Sequence, residues 1–171
     1  TVLGTAVKHM IADGGLKEGE NRIISGNVLT GKKIEIGGYL NFYDSQLTII
    51  PEGDEPEFMG WLAPGFEKLS MSRSFFSWLT PQNKYEPDTN LHGEERPFVI
   101  TGQYEKVFPM DIYPMQLLKS IMIEDIELME NLGIYEVVEE DVALCEFVCT
   151  SKIEWQRILR KGLDQVRKEF S

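Results

Sequence analysis

Sulfur ligands and imidazoles are scarce in this chain, with two cysteines and two histidines in 171 residues. A secreted scaffold held by disulfides would carry more cysteine. Cys145 and Cys149 therefore point to a reduced, cytoplasm-facing compartment. Basic charge is short as well: 17 Lys and Arg stand against 28 Asp and Glu, for a net charge of −11. Nucleic-acid binders draw affinity from Lys and Arg that displace phosphate counterions, so that class is excluded. The same acidity opposes direct docking on anionic lipid headgroups. Long apolar runs are missing too. None approaches the ~20 residues of a spanning helix, and no segment reads as a signal peptide. Any membrane association is expected to run through a partner. Thr1 at the first position raises the expectation of a C-terminal piece of something longer.

Phosphate-binding motifs are also wanting. There is no Gly-Lys-Ser/Thr loop and no Gly-x-Gly-x-x-Gly opening a helix. Gly14, Gly15, Gly19, Gly26 and Gly31 read as turn glycines. His9 and His92 are isolated and read as solvated or capping side chains. No Ser, His and acid arrangement suggests itself, so no catalytic residue is expected.

What is present is ordinary globular composition, 42% hydrophobic and 26% charged, enough for one large domain or two small ones. Glycine and strand-like runs fill residues 1–90, and helical periodicities fill 110–171. The reading is two units, 1–90 and 95–171, joined through the polar stretch Pro81 to Gly93. In the first, Leu3, Val7, Met10 and Ile11 predict a short helix ended by Gly14-Gly15. Asn21 to Leu29, Tyr39 to Tyr43 and Leu47 to Ile50 predict strands, with Pro51 to Asp54 as a turn. Phe58 to Leu62 and Leu69 to Arg73 are weaker strand candidates. Short strands around one helix suggest a small α+β roll.

The second unit reads as helical. Met115, Leu118, Met122, Ile126 and Met129 trace one stripe from Pro114, widened by Leu117, Ile121, Leu128 and Leu132. That predicts a single helix stopped by Gly133. The last helix is expected to start at Ser151 with Glu154 completing a capping box. Trp155, Ile158, Leu159, Val166 and Phe170 line its apolar face. Arg157, Arg160, Lys161, Arg167 and Lys168 line the other, either a solvated surface or a dock for an acidic partner.

A weak repeat at an offset of 41 residues pairs Val107 with Val148, Ile112 with Ile153, and Leu118 with Leu159. Two copies of a loop-then-helix element resemble a bacterial two-cluster ferredoxin insert. The region is similar to the C subunit of the Rnf electron-transfer complexes, whose pattern is Cys-x-x-Cys-Gly-x-Cys-x-x-x-Cys-Pro, twice. In the first copy here the four cysteine slots hold Phe98, Thr101, Tyr104 and Phe108, while Gly102, Val107 and Pro109 remain. In the second they hold Glu139, Val142, Cys145 and Cys149, followed by Thr150 instead of Pro. Rings cannot ligate iron, and two thiols are too few for a cluster within the chain. Aromatics in those slots are expected to fill the vacated volume, and the cysteines to behave as small buried hydrophobes. A zinc site on Cys145 and Cys149 would need two further ligands, Glu139 being one candidate. Glu139-Glu140-Asp141 reads as a solvated turn, with a cation site as the alternative.

A frame with empty ligand slots resembles the A subunit of the sodium-translocating NADH:quinone oxidoreductase. The resemblance extends to Asn21-Arg22-Ile23-Ile24-Ser25-Gly26-Asn27-Val28-Leu29, Gly60-Trp61-Leu62-Ala63-Pro64-Gly65 and Phe108-Pro109-Met110-Asp111-Ile112, and covers nearly all of the chain. It implies a β-grasp-like, soluble ligand-binding domain over 1–90 and a helical domain without iron–sulfur ligands over 95–171. It implies a peripheral, non-redox component on the cytoplasmic face of the bacterial inner membrane, with the membrane-embedded B subunit as chief partner. No cofactor is expected in this chain; flavins, iron centres, NADH, ubiquinone and sodium would be handled by other subunits. Trp61, Phe75, Phe76 and Trp78 lie beside flexible turns. They are expected either to pack internally or to offer an apolar contact for a neighbouring subunit or a quinone ring.

Overall fold

The structure is a computed structural model that describes residues 4–12, 15–16, 18–53, 57–60, 62–69, 73–80, 84–99 and 102–170. The fold is mixed α+β and divides into two compact units, Thr1–His92 and Gly93–Ser171.

In the first unit, α1 (Val7–Ala12) turns Val7 and Ile11 inward at helical spacing. They meet Ile23 of β1 (Asn21–Ser25), with Ile34, Leu47 and Ile49 around them. β1 is the central strand of an antiparallel sheet in the order β2-β1-β3, where β2 is Lys32–Lys33 and β3 is Leu47–Pro51. Ile23 pairs with Ile49 and Ser25 with Leu47, which carries the apolar side chains to one face. Leu3 and Gly14 of the expected first helix lie outside the described residues.

The strand expected over Asn21 to Leu29 ends at Ser25. Gly26 adopts φ +96°, a conformation that L side chains rarely take, and breaks the extended run. Asn27 Oδ1 then accepts the backbone N–H groups of Leu29 and Thr30, folding Val28-Leu29 into a turn. Pro51 extends β3 and does not open a turn; Asp54 lies outside the described residues. Phe58 to Gly60 form a turn where a strand was expected, and the described ends of the Leu69–Arg73 stretch are not strand.

Tyr39 to Tyr43 is likewise no strand. One isolated bridge pairs Ala6 with Tyr39, and the Asp44 N–H then donates to the Asn41 carbonyl at 3.1 Å, closing a turn. The turn is tied to β1 by polar groups. The buried Ser25 hydroxyl donates to Asp44, and Ser25 Oγ accepts the Asn41 N–H at 2.9 Å. Asn41 Nδ2 donates to Asp44 Oδ2 at 2.9 Å. Side-chain hydrogen bonds outcompete the β-ladder here because Asn and Asp offer the backbone a local partner.

In the second unit the long helix expected from Pro114 to Leu132 is two helices, α2 (Pro114–Met122) and α3 (Ile126–Asn131). Glu124 takes φ +61°, and Asp125 caps α3 by accepting the Leu128 N–H. The break exposes Met122, which the stripe had placed inside, while Met115, Leu118 and Met129 remain buried. Gly133 turns the chain after α3 as expected, at φ +87°. α4 (Ala143–Val148) and α5 (Trp155–Glu169) complete the unit. Trp155, Leu159 and Val166 of α5 are buried, but Phe170 at its end is exposed. Gly162 sits where α5 crosses α2: a Cβ there would lie 2.7 Å from Ile121 Cγ1, so a larger residue would push the helices apart.

Ser151 is not the cap of α5. Its hydroxyl is buried and donates to the Pro97 carbonyl at 3.0 Å, and the helix begins after Glu154 with no cap from that side chain. The cap comes from α4: Glu146 Oε2 accepts the Gln156 N–H at 3.0 Å. A carboxylate at a helix N-terminus satisfies an orphan donor and faces the positive end of the dipole. Glu146→Ala is expected to destabilise the second unit by about 1 kcal/mol in urea denaturation. An unchanged midpoint would remove the assignment.

Candidate functional site

The slots of the two frame copies converge in the core of the second unit. Tyr104 lies on the short 3-10 turn Tyr104–Lys106 and is fully buried. Its phenol oxygen is 3.3 Å from Cys149 Sγ, and the Cys145 thiol reaches the Tyr104 carbonyl at 3.8 Å. The third slot of one copy therefore touches the third and fourth of the other. Phe98 stands edge-on to Tyr104 at 6.3 Å and to Trp155 at 5.4 Å, while Tyr104 and Trp155 are 4.5 Å apart. Phe108 and Val142 are buried in the same cluster. Thr101 lies outside the described residues.

This donor set does not fit an iron–sulfur cluster. Rings and an aliphatic side chain occupy the volume, as expected from the slots. Burial, with help from Glu105 and Cys149, pushes the Cys145 thiol up to about 12. Tyr104 is raised too, by burial first and then by its bond to Cys149. A thiol held protonated by burial is a poor nucleophile. Among the described residues, no group of three or more His, Cys, Asp or Glu could hold a metal ion. Glu139 pairs with Arg160, and Asp141 Oδ2 accepts the Val138 N–H at 3.0 Å. Two of the three carboxylates read as a possible cation site are thus engaged. The Trp155 indole N–H is the cluster's unmet need, buried with no protein acceptor.

Around this core, the basic face of α5 is tied to its own unit. Arg157 pairs with Glu154 and Lys161 with Glu124 at 2.7 Å, alongside the Arg160–Glu139 pair. Exposed pairs of this kind contribute little to stability.

In the first unit, Phe75, Phe76 and Trp78 come together on and beside the 3-10 turn Phe76–Leu79; Trp61 lies outside the described residues. Phe75 is half-buried beneath the Lys68 ammonium, 5.3 Å from the ring centre. Phe76 and Trp78 are 52% and 51% exposed, with buried Ser77 between them. The Phe76 N–H donates to the Pro64 carbonyl at 2.9 Å, and its ring lies 6.2 Å from that of Phe66. His9 and His92 are both exposed and lie away from this turn in sequence, His92 being 3.8 Å from Asp88.

Two features escaped sequence reasoning. β2 is too short to show a period, and it places Lys33 3.6 Å from Glu52. Arg22 also bonds Glu52, and that hydrogen bond holds its carboxyl below the usual range. Asn21, Lys33 and Glu52 line a shallow open depression at this sheet edge. The second feature is the Asn41–Asp44 turn, whose Phe42 and Tyr43 look like ordinary strand residues in sequence.

Comparison with known proteins places these observations. A family model described as "NQRA C-terminal domain" matches residues 1–35. The A subunit of the Na(+)-translocating NADH-quinone reductase of Rhodopirellula baltica is 42% identical over 171 residues, which is 99% of this chain and 37% of that protein. Its counterpart in Yersinia pestis bv. Antiqua is 41% identical over 170 residues, 99% of this chain and 38% of that protein. That of Hahella chejuensis is 41% identical over 160 residues, 93% of this chain and 36% of the relative. The resemblance to this family holds over nearly the whole chain, and the chain spans under two fifths of the length of these relatives.

Proposed function

We infer, from homology along nearly the whole chain to the A subunit of the Na(+)-translocating NADH-quinone reductases, that this chain is a peripheral, non-redox part of such a complex. Its role is scaffolding: it docks on the membrane-embedded B subunit from the cytoplasmic face. The first unit is the β-grasp-like domain and the second a ferredoxin-type insert that carries no clusters. Electrons pass from NADH to ubiquinone, and sodium is moved, by cofactors in other subunits. The observation that carries this reading is the meeting of Tyr104 with Cys145 and Cys149, where ligand slots have become a packed core. No helix among the described residues is long and apolar enough to cross a membrane, which is consistent with a peripheral place.

A second reading assigns the aromatic turn to a quinone or another small apolar ligand. It rests on Phe76 and Trp78, which stand half-exposed beside Phe75, with Trp61 close in sequence. Both readings meet the same experiment. The purified chain is expected to be colourless and to hold no iron or acid-labile sulfide. Stoichiometric iron and sulfide would overturn the non-redox assignment. Saturable quinone binding that Phe76→Ala abolishes would move the turn from subunit contact to ligand site.

A further inference from the structure

We propose that residues 91–95 are a hinge on which the two units of the chain reorient, clamped at one end through Thr89 and at the other through Ser151. The hinge is a matter of the chain's own mechanics and stands apart from the scaffolding role.

Three observations point there. First, each end of the stretch is held to its own unit. Just past β3, Thr89 Oγ1 accepts the Gly53 N–H at 2.7 Å and donates to Glu52 Oε1 at 3.4 Å. Asn90 packs so closely on Gly53 that a Cβ there would lie 2.5 Å from the Asn90 nitrogen. Asp88 fixes Asn90 in turn, accepting its backbone N–H and its Nδ2, both at 2.9 Å. At the other end, the Arg96 N–H donates to the Ser151 carbonyl at 2.8 Å, and the buried Ser151 hydroxyl donates to the Pro97 carbonyl at 3.0 Å. Phe98 then packs on the aromatic core. Second, the residues between are bare. Leu91, His92, Gly93, Glu94 and Glu95 are all exposed, and among the described residues none of them makes a hydrogen bond. His92 approaches Asp88 Oδ1 only to 3.8 Å. Third, the backbone there can turn. His92 stands at φ +47°, a region that side chains disfavour, with no hydrogen bond to keep it there. Gly93 follows, and without a Cβ it reaches dihedral angles closed to other residues. The break between the two units falls between His92 and Gly93, and each unit has its own core. Dihedral changes at a few loop residues between held ends are how domains swing.

The test uses the full 171-residue chain, followed by nuclear magnetic relaxation of its backbone amides and by residual dipolar couplings. Amides of residues 91–95 are expected to show order parameters below about 0.6, against about 0.85 for Asn90 and Arg96. Couplings from the two units are expected to require separate alignment tensors. Thr89→Val removes the hydroxyl that accepts the Gly53 N–H. It is expected to carry the low order back to Asn90 while the amides of β1 keep the values of the parent. One alignment tensor that fits both units would overturn the hinge, even with residues 91–95 mobile, since a loose loop that passes on no rotation is not a hinge. Order parameters of about 0.85 throughout residues 91–95 would overturn it as well. An Asn90 amide that Thr89→Val leaves unchanged would remove Thr89 as the clamp.

Discussion

Trp155→Ala is expected to destabilise the second unit by about 3–5 kcal/mol, followed by helix circular dichroism in guanidinium. Trp155 is fully buried and packs against Phe98 at 5.4 Å and Tyr104 at 4.5 Å. Its removal leaves a cavity at the point where the two frame copies meet. Tyr104 cannot collapse into it freely, because its phenol is engaged with Cys149. Domains of this size are stable by only about 5–15 kcal/mol, so the variant should lie close to unfolding. Trp155→Phe keeps most of the volume and loses an indole N–H that has no acceptor. It should therefore cost much less than the alanine variant. Loss of under about 1 kcal/mol in Trp155→Ala would mean that the aromatic and thiol cluster is not the keystone of this unit.

Alkaline conditions are expected to weaken the same unit strongly. The folded Cys145 thiol is pushed up to about 12, against an ordinary value of 9.0. Below pH 9 the thiol is protonated in both states, and the contribution to stability is whole. Between pH 9 and 12 the unfolded chain releases a proton that the folded chain retains. Stability therefore falls as pH rises, by up to about 1.4 kcal/mol per unit. By pH 12 the loss is on the order of 4 kcal/mol. Tyr104, also raised by burial, adds to the fall in the same direction. Denaturation midpoints taken from pH 8 to 11 for the parent and for Cys145→Ala isolate the thiol's share. The parent should show the steeper decline. Parallel lines would show that the thiol is not held neutral by its surroundings.

Both predictions concern groups that sequence reasoning singled out, yet neither contact was visible in it. The slot residues are legible only through the resemblance, which supplies a cysteine pattern to lay on the weak repeat. That Tyr104 of one copy lies on Cys149 of the other, 45 positions away, depends on how α4 and the Tyr104–Lys106 turn pack. Similar reasoning separates α5 from α2 and α3. Trp155, Leu159 and Val166 recur at helical spacing and are buried as that spacing demands. The apolar stripe through Met122 and Ile126 is just as regular, but Asp125 offers a cap that ends one helix and starts another. Periodicity cannot see that competition, because it weighs side-chain polarity and not backbone hydrogen bonds. The aromatic turn at Phe76–Leu79 shows the same limit. Its aromatic content is plain in the sequence, whereas the exposure of Phe76 and Trp78 is a property of the packed first unit.

What the sequence alone determined about this chain is local and chemical: its acidity, the missing phosphate loop, two thiols four positions apart, the amphipathic last helix and a similarity to the A subunits of sodium-translocating reductases. Those properties follow from residue type and spacing of a few positions. The tertiary structure decided which distant groups meet: Glu146 as the cap of α5, Ser25 as the anchor of the Asn41–Asp44 turn, and two frame copies closed into one aromatic and thiol core. The physical reason is that polar groups leaving water take whichever partner the packed chain brings within reach.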